Sequence, residues 1–243
     1  MITFPTLGTI GRLGNHLFQM ATTIGLALDH EEEYGFPRWA HERFFPLTGC
    51  FKDAIPEGPR YKELRFCYDP IPYQPNLGLS GFFQSEKYFS RQASKIRSLL
   101  TPFGVPDRSE FIATASLHVR RGDYQLLPDK HPLVPIEYYE KATDRLLAQG
   151  VKRIIVFSDD LDWCRKTFLE NPYVIIPEMP GIEQLAWTIA CEHHIMANST
   201  FSWWGAWLNP NPDKVVIAPQ KWFGPGYANY DTKDLLSEGW ISL

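Results

Sequence analysis

Residues 113–124 read ATASLHVRRGDY. The uncharged run from Ala113 to Val119 reads as a strand, and Arg120-Arg121-Gly122-Asp123 as the loop into which it runs. Successive strand side chains point to opposite faces, so His118 and Arg120 share one side while Val119 and Arg121 take the other. An arginine leaving the end of a parallel strand stands where open α/β sheets hold ligand phosphates. Its planar fork grips phosphate or carboxylate through paired hydrogen bonds, which lysine cannot do. The plainer reading pairs an arginine with Asp123 to brace a turn, and from the residues alone both readings stand. Arg121-Gly122-Asp123 also spells an adhesion tripeptide, but beside a buried strand it makes a poor receptor ligand.

Moving outward, strand and helix signals alternate. PIEYYEKATDRLLAQG (135–150) predicts a helix with Pro135 near its start and Gly150 just past its end. KRIIVFSDD (152–160) predicts a strand, and DLDWCRKTFLE (160–170) a helix capped by Ser158 or an adjacent aspartate. YVIIPE (173–178) reads as a strand, IEQLAWTIACEHH (182–194) as a helix, and IMANST (195–200) as a short strand and turn. FSWWGAWLN (201–209) begins a further helix and DKVVIAPQKWF (213–223) supplies a last strand. Such alternation implies a parallel, doubly wound sheet, which binds ligands at the carboxyl ends of its strands. In the first half, ITF (2–4) reads as a strand, GRLGN (11–15) as a glycine-rich turn and LFQMATTIGLALDH (17–30) as a helix with Leu17, Met20, Ile24 and Leu28 at helical spacing. SGFFQSEKYFSRQASKIRSLLTPF (80–103) begins with a strand-like GFF and continues as a helix ending before Pro102. Residues 37–75 give no assignable pattern. A soft boundary falls in TPFGVPDRSE (101–110), dividing the chain into α/β halves of residues 1–105 and 106–243, with a cleft expected between them.

A chain of 243 residues with 44% hydrophobic and 21% charged residues is neither disordered nor fibrous. A net charge of −4 argues against general nucleic-acid binding, which needs clustered positive charge. Cys50, Cys67, Cys164 and Cys191 are widely separated, so neither a disulfide framework nor a zinc site is expected. The opening MITFPTLGTIGRLG lacks the features of a signal peptide, and no apolar run reaches the roughly 18 residues that span a bilayer. The expectation is a cytoplasmic chain with reduced cysteines.

Three further stretches carry candidate chemistry. In IMANSTFSWWGAW, Asn198, Ser199, Thr200 and Ser202 cluster at a helix start, where hydroxyls and backbone N–H groups form an anion site. Capping alone would account for one or two of the four. Trp203, Trp204 and Trp207 lie at helical spacing and read as packing rather than a sugar platform. In GRLGNH, Gly11 and Gly14 permit close backbone approach and Asn15 can donate at the following helix start, although the nucleotide patterns GxGxxG and GxxxxGK[ST] are absent. In FSDDLDW, Asp160 and Asp162 form a DxD like that of metal-dependent sugar transferases, but they fall at a helix start where capping explains them. His193 and His194 are adjacent, so they do not form a helical metal-ligand pair.

Taken together, GRLGNHLFQMA (11–21), GFFQSEKYF (81–89), SLHVRRGDY (116–124), VFSDDLDWC (156–164) and CEHHIMANSTFSWWGAWLNP (191–210) resemble the bacterial α-1,2-fucosyltransferases, glycosyltransferase family 11, over nearly the whole chain. The resemblance implies a GT-B fold, with two Rossmann-like halves, an acceptor side in 1–105 and a donor side in 106–243, and no metal. It implies transfer of L-fucose from GDP-β-L-fucose, with inversion, to the 2-hydroxyl of a terminal galactose. Arg120 matches the family arginine that contacts the diphosphate, with His118 and Arg121 beside it. Asn198, Ser199, Thr200 and Ser202 match the donor-loop segment, and Gly14 and Asn15 match the N-terminal loop over the donor. Asp123 or Asp129 would supply a catalytic base. His16 stands where glutamine is usual, and Glu183-Gln184 where an aspartate is common. The expected partners are GDP-fucose and a galactoside glycan, no nucleic acid, and the inner membrane surface if the acceptor is lipid-linked. The alternatives are a metal-dependent GT-A transferase built on Asp160 and Asp162, and a non-catalytic carbohydrate-binding module.

Overall fold

The computed structural model describes residues 1–243, which form two compact units. The first comprises Met1–Phe103 and Tyr230–Ser237, the second Gly104–Asn229 and Glu238–Leu243. Residues 230–237 thus belong with the first unit rather than the second. The Asp234 carboxylate ties them there, accepting the Tyr68 N–H and pairing with the Lys87 ammonium. A contact so remote in sequence leaves no local pattern to read. No helix is long and apolar enough to cross a membrane.

The first unit holds strands β1 (Ile2–Thr3), β2 (Tyr34–Pro37), β3 (Phe51–Lys52), β4 (Arg60–Lys62) and β5 (Gly78–Ser80), all parallel in the order β3-β2-β1-β5-β4. Two of these strands, β3 and β4, lie within the stretch that the sequence left unassigned. Helix α1 (Leu13–Asp29) buries Leu17, Phe18, Met20, Ala21 and Ile24, and Gly25 lets the backbone at Phe89 approach it. A Cβ on Gly25 would lie 2.8 Å from Phe89 Cβ. The expected GFF strand is instead Gly78–Ser80. Gly81-Phe82-Phe83 leaves the sheet because Gly81 and Phe83 adopt positive φ and Glu63 accepts the N–H groups of Phe82 and Phe83. The following helix is reduced to short 3-10 turns and α2 (Ala93–Leu100).

The second unit carries strands β6 (Thr114–Val119), β7 (Arg153–Ser158), β8 (Tyr173–Ile175), β9 (His193–Ile195), β10 (Val216–Ala218) and β11 (Ile241–Ser242). Helices α3 (Ile136–Leu147), α4 (Leu161–Thr167), α5 (Gly181–Ala190) and α6 (Thr200–Leu208) connect them. The sheet is parallel throughout, in the order β11-β10-β9-β6-β7-β8. Counted from β6, that is the 3-2-1-4-5-6 order of a Rossmann fold, whose switch point lies between β6 and β9. Two expectations are corrected here. His193 and His194 belong to β9 and not to a helix, because pairing with β6 and β10 overrides their helical pattern. DKVVIAPQKWF does not supply the last strand, since β11 follows it and, at two residues, is too short to show alternation.

Helix α6 is buried almost all round. Trp203, Trp204 and Trp207 are at most 2% exposed, with Trp203 and Trp204 centroids 5.0 Å apart and Trp240 5.4 Å from Trp203. The sugar-platform reading of this cluster therefore has no exposed ring to rest on. Gly205 sets the crossing of α6 on α5, since a Cβ there would lie 2.3 Å from Thr188 Cγ2. Gly205→Val should cost about 1–3 kcal/mol through overpacking, and Trp204→Ala about 3–5 kcal/mol through cavity formation. Urea midpoints unchanged from the wild type would contradict this packing.

Candidate functional site

The register of the second sheet assembles the site. Val119 pairs with Ser158, so Arg120 and Asp159 leave β6 and β7 side by side. Leu117 pairs with Ile195, so Arg120 and Asn198, each three residues further on, leave β6 and β9 at one level. Two motifs separated by almost eighty residues thus meet at the switch point.

Arg120 is held by two carboxylates, Nη1 donating to Asp159 Oδ2 and Nη2 to Asp123 Oδ1. Its guanidinium carbon lies 5.0 Å from the centre of the Tyr124 ring. Arg121 turns the other way. Its Nε donates to Asp160 at 3.1 Å and its guanidinium covers the Trp163 ring at 4.2 Å, while its backbone N–H donates to Asp159 Oδ1 at 2.9 Å. Gly122 makes room for this arrangement, because a Cβ there would lie 2.4 Å from Asp159 Oδ2. The RGD tripeptide is therefore a turn around a carboxylate. Asp159 was missed by the sequence reading, although SDD directly after the strand paired with β6 was its signal.

Asp160 caps α4 by accepting the Trp163 N–H at 3.1 Å, and Asp162 pairs with Arg165 at 2.9 Å. The DxD carboxylates are thus engaged separately, and no group of three His, Cys, Asp or Glu side chains is placed to hold a metal ion. Of the polar residues after β9, Ser199 caps α6 through the Phe201 N–H at 3.3 Å. The Asn198 amide donates to the carbonyls of Pro132 and Trp222 at 2.9 and 3.1 Å, and the Ser202 hydroxyl donates to the carbonyl of Ala197 or Ser199. Asn198 and Ser202 therefore shape the turn, and Ser199 and Thr200 stand at the helix start itself. Tyr124 joins the two loops, its hydroxyl donating to the Asn198 carbonyl at 3.1 Å. Burial pushes that phenol up to about 12, and His131 stacks on the same ring at 4.6 Å. Asp129 lies in an exposed part of the loop, its carbonyl accepting the Gly226 N–H at 2.6 Å.

His118 is 6% exposed and packs on Phe201, ring centres 5.1 Å apart, with no hydrogen-bond partner at Nδ1. Burial holds its imidazole well below the ordinary value, opposed by Asp159 and reinforced by Arg120. His194 is held down by burial in the same way and bonds Ser116 at 2.9 Å, joining β9 to β6.

In the first unit, Gly14 is buried in the first turn of α1, and Asn15 accepts a hydrogen bond from Gln84 at 3.0 Å. Gly11, at φ +80°, folds back over Asn15. His16 accepts the Trp39 indole N–H at 3.1 Å, and burial lowers its imidazole. The four cysteines are free and buried.

Residues 60–243 match the model of glycosyl transferase family 11. The chain belongs to that family. Relatives within reach are the Escherichia coli O-antigen biosynthesis glycosyltransferase WbnK, 42% identical over 54% of this chain and 44% of its own length, and an E. coli alpha-1,2-colitosyltransferase, 33% identical over 67% and 61%. The mouse galactoside 2-alpha-L-fucosyltransferase Sec1 is 33% identical over 88% of this chain and 66% of its own length. The chain thus spans less than two thirds of the length of these curated relatives. Among solved structures, POFUT1 in its apo form superposes with a TM-score of 0.52, covering 89% of this chain and 97% of that one at 13% identity. With two parallel α/β units, the family 11 chain has the GT-B-like fold expected from its sequence.

The buried imidazoles give the family 11 site a pH signature. His118 and His194 have lower proton affinity folded than unfolded, where histidine titrates near 6.5. Below that value the unfolded chain takes up protons that the native state refuses, so stability falls as pH drops from about 6.5. The urea midpoint should decline from pH 7.5 to 5, and less steeply in His118→Asn. Parallel declines in wild type and variant would show that His118 is not held neutral.

Proposed function

We propose that the chain is an inverting galactoside α-1,2-fucosyltransferase, moving L-fucose from GDP-β-L-fucose to the 2-hydroxyl of a terminal galactose. The observation that carries the reading is Arg120 at the switch point of a Rossmann sheet, braced by Asp159 and level with the start of α6. Family membership and relatives named for α-1,2 transfer of fucose or colitose support the linkage and the class of sugar.

Breaking the fucose–phosphate bond builds negative charge on the departing GDP and positive charge on the sugar. Arg120 and the amides at the start of α6 stabilise that leaving charge where it develops, with little reorganisation, because the donors are already fixed. His118, held neutral by burial, lines the same wall without adding charge of its own. Arg121, anchored by Asp160 and Trp163, supports the loop. For Gly14 and Asn15 a donor-binding role, and for residues 1–105 the acceptor side, come from the family resemblance of their motifs. The acceptor hydroxyl gives its proton to a carboxylate, with Asp123 favoured over Asp129 because it stands against Arg120. No metal takes part in this reading. The chain acts in the cytoplasm, at the inner membrane surface where its acceptor is lipid-linked.

Lactose and GDP-fucose, incubated with the protein in EDTA, should yield an α-1,2-linked product, with linkage determined by NMR. Arg120→Ala should slow transfer on the order of 100-fold or more. An activated colitose offered in parallel decides which sugar the donor pocket prefers. Transfer abolished by EDTA and restored by magnesium would overturn the metal-free reading in favour of a GT-A mechanism.

A further inference from the structure

The two carboxylates on Arg120 are held very differently. Asp159 follows directly on β7, and its second oxygen takes the Arg121 backbone N–H. Its first oxygen packs where Gly122 has no side chain. Asp123 instead opens a 3-10 turn of four residues, Asp123–Leu126, that ends on an 82% exposed leucine. The Asp123 side chain is 37% exposed, against 27% for Asp159 and 12% for Arg120. Both terminal nitrogens of the guanidinium therefore face carboxylates, one rigidly mounted and one on an open loop.

A diphosphate needs that same fork. Around it, Arg120 and Arg121 face Asp123, Asp159 and Asp160, two positive charges against three negative. An entering anion meets an unfavourable local balance unless a carboxylate gives way.

Resting on the reading of Arg120 as a diphosphate grip, we propose that Asp123 is a displaceable counter-ion of Arg120, replaced by the donor's diphosphate while Asp159 remains as the permanent brace. The exchange passes Nη2 of the guanidinium from one anion to another while Asp159 keeps Nη1, so neither end of a mostly buried cation is left without a partner. It also releases a carboxylate into the site once the donor is bound, which is when an acceptor hydroxyl needs a proton acceptor. Asp159 is then a positioning residue acting through Arg120, and Asp123 is a competitor of the phosphate.

Calorimetric titration of the full chain with GDP separates these roles. Asp123→Asn and Asp123→Ser remove the competitor and should bind GDP about fivefold more tightly than wild type, the range expected for losing a partly exposed ion pair. Asp123→Glu keeps a carboxylate and should stay near wild type. Asp159→Asn loosens the brace and should bind on the order of tenfold more weakly. A purely structural role for Asp123 gives the opposite sign, weaker GDP binding together with a lower melting temperature. The proposal fails if wild type binds GDP while both Asp123→Asn and Asp123→Ser bind it equally or more weakly. A wild-type protein that does not bind GDP overturns the diphosphate reading itself, an outcome visible in the first titration alone.

Discussion

Everything at the site depends on the parallel register of β6 against its two neighbours. With Val119 beside Ser158 and Leu117 beside Ile195, Arg120 emerges between Asp159 and the turn that starts α6. A slip of one residue would turn each side chain to the opposite face of the sheet. His118 would then exchange places with Val119, and the guanidinium would lose Asp159, the carboxylate that the neighbouring strand supplies. The register is secured by a strand buried along its whole length, and by the Ser116–His194 bond between β6 and β9.

That constraint explains the electrostatics. An arginine 12% exposed needs anionic partners; the end of β7 supplies Asp159 at a fixed position, and the loop after β6 supplies Asp123. Gly122 is required because the Asp159 carboxylate occupies the space where any side chain would lie. His118 stays neutral because its ring is buried and a cation, Arg120, already stands beside it. The result is a preorganised, mostly buried guanidinium, whose interaction with a developing phosphate charge is stronger than it would be in bulk water.

The tryptophan helix serves the same end from beneath. Trp203, Trp204 and Trp207 fill the space under α6, and Gly205 sets its distance from α5. The helix start at Ser199 is therefore mounted on packed rings, while Asn198 staples the loops at Pro132 and Trp222. Residues that resemble ligand contacts in the sequence act here partly as the frame for backbone groups.

The alternation of strands and helices from Thr114 to Ala218, the parallel sheet it implies, and Arg120 at a strand end were legible in the sequence, because hydrophobic periodicity and helix caps are local. The motifs also carried the family, since their order and spacing survive without any structure. The role of Asp159, the choice of Arg120 rather than Arg121 as the partner of Asp123, the strand identity of His193 and His194, and the return of residues 230–237 to the first unit were decided only by tertiary structure. Each depends on which strands become neighbours and in what register, and that choice is made by burial and hydrogen bonding between segments far apart in the chain.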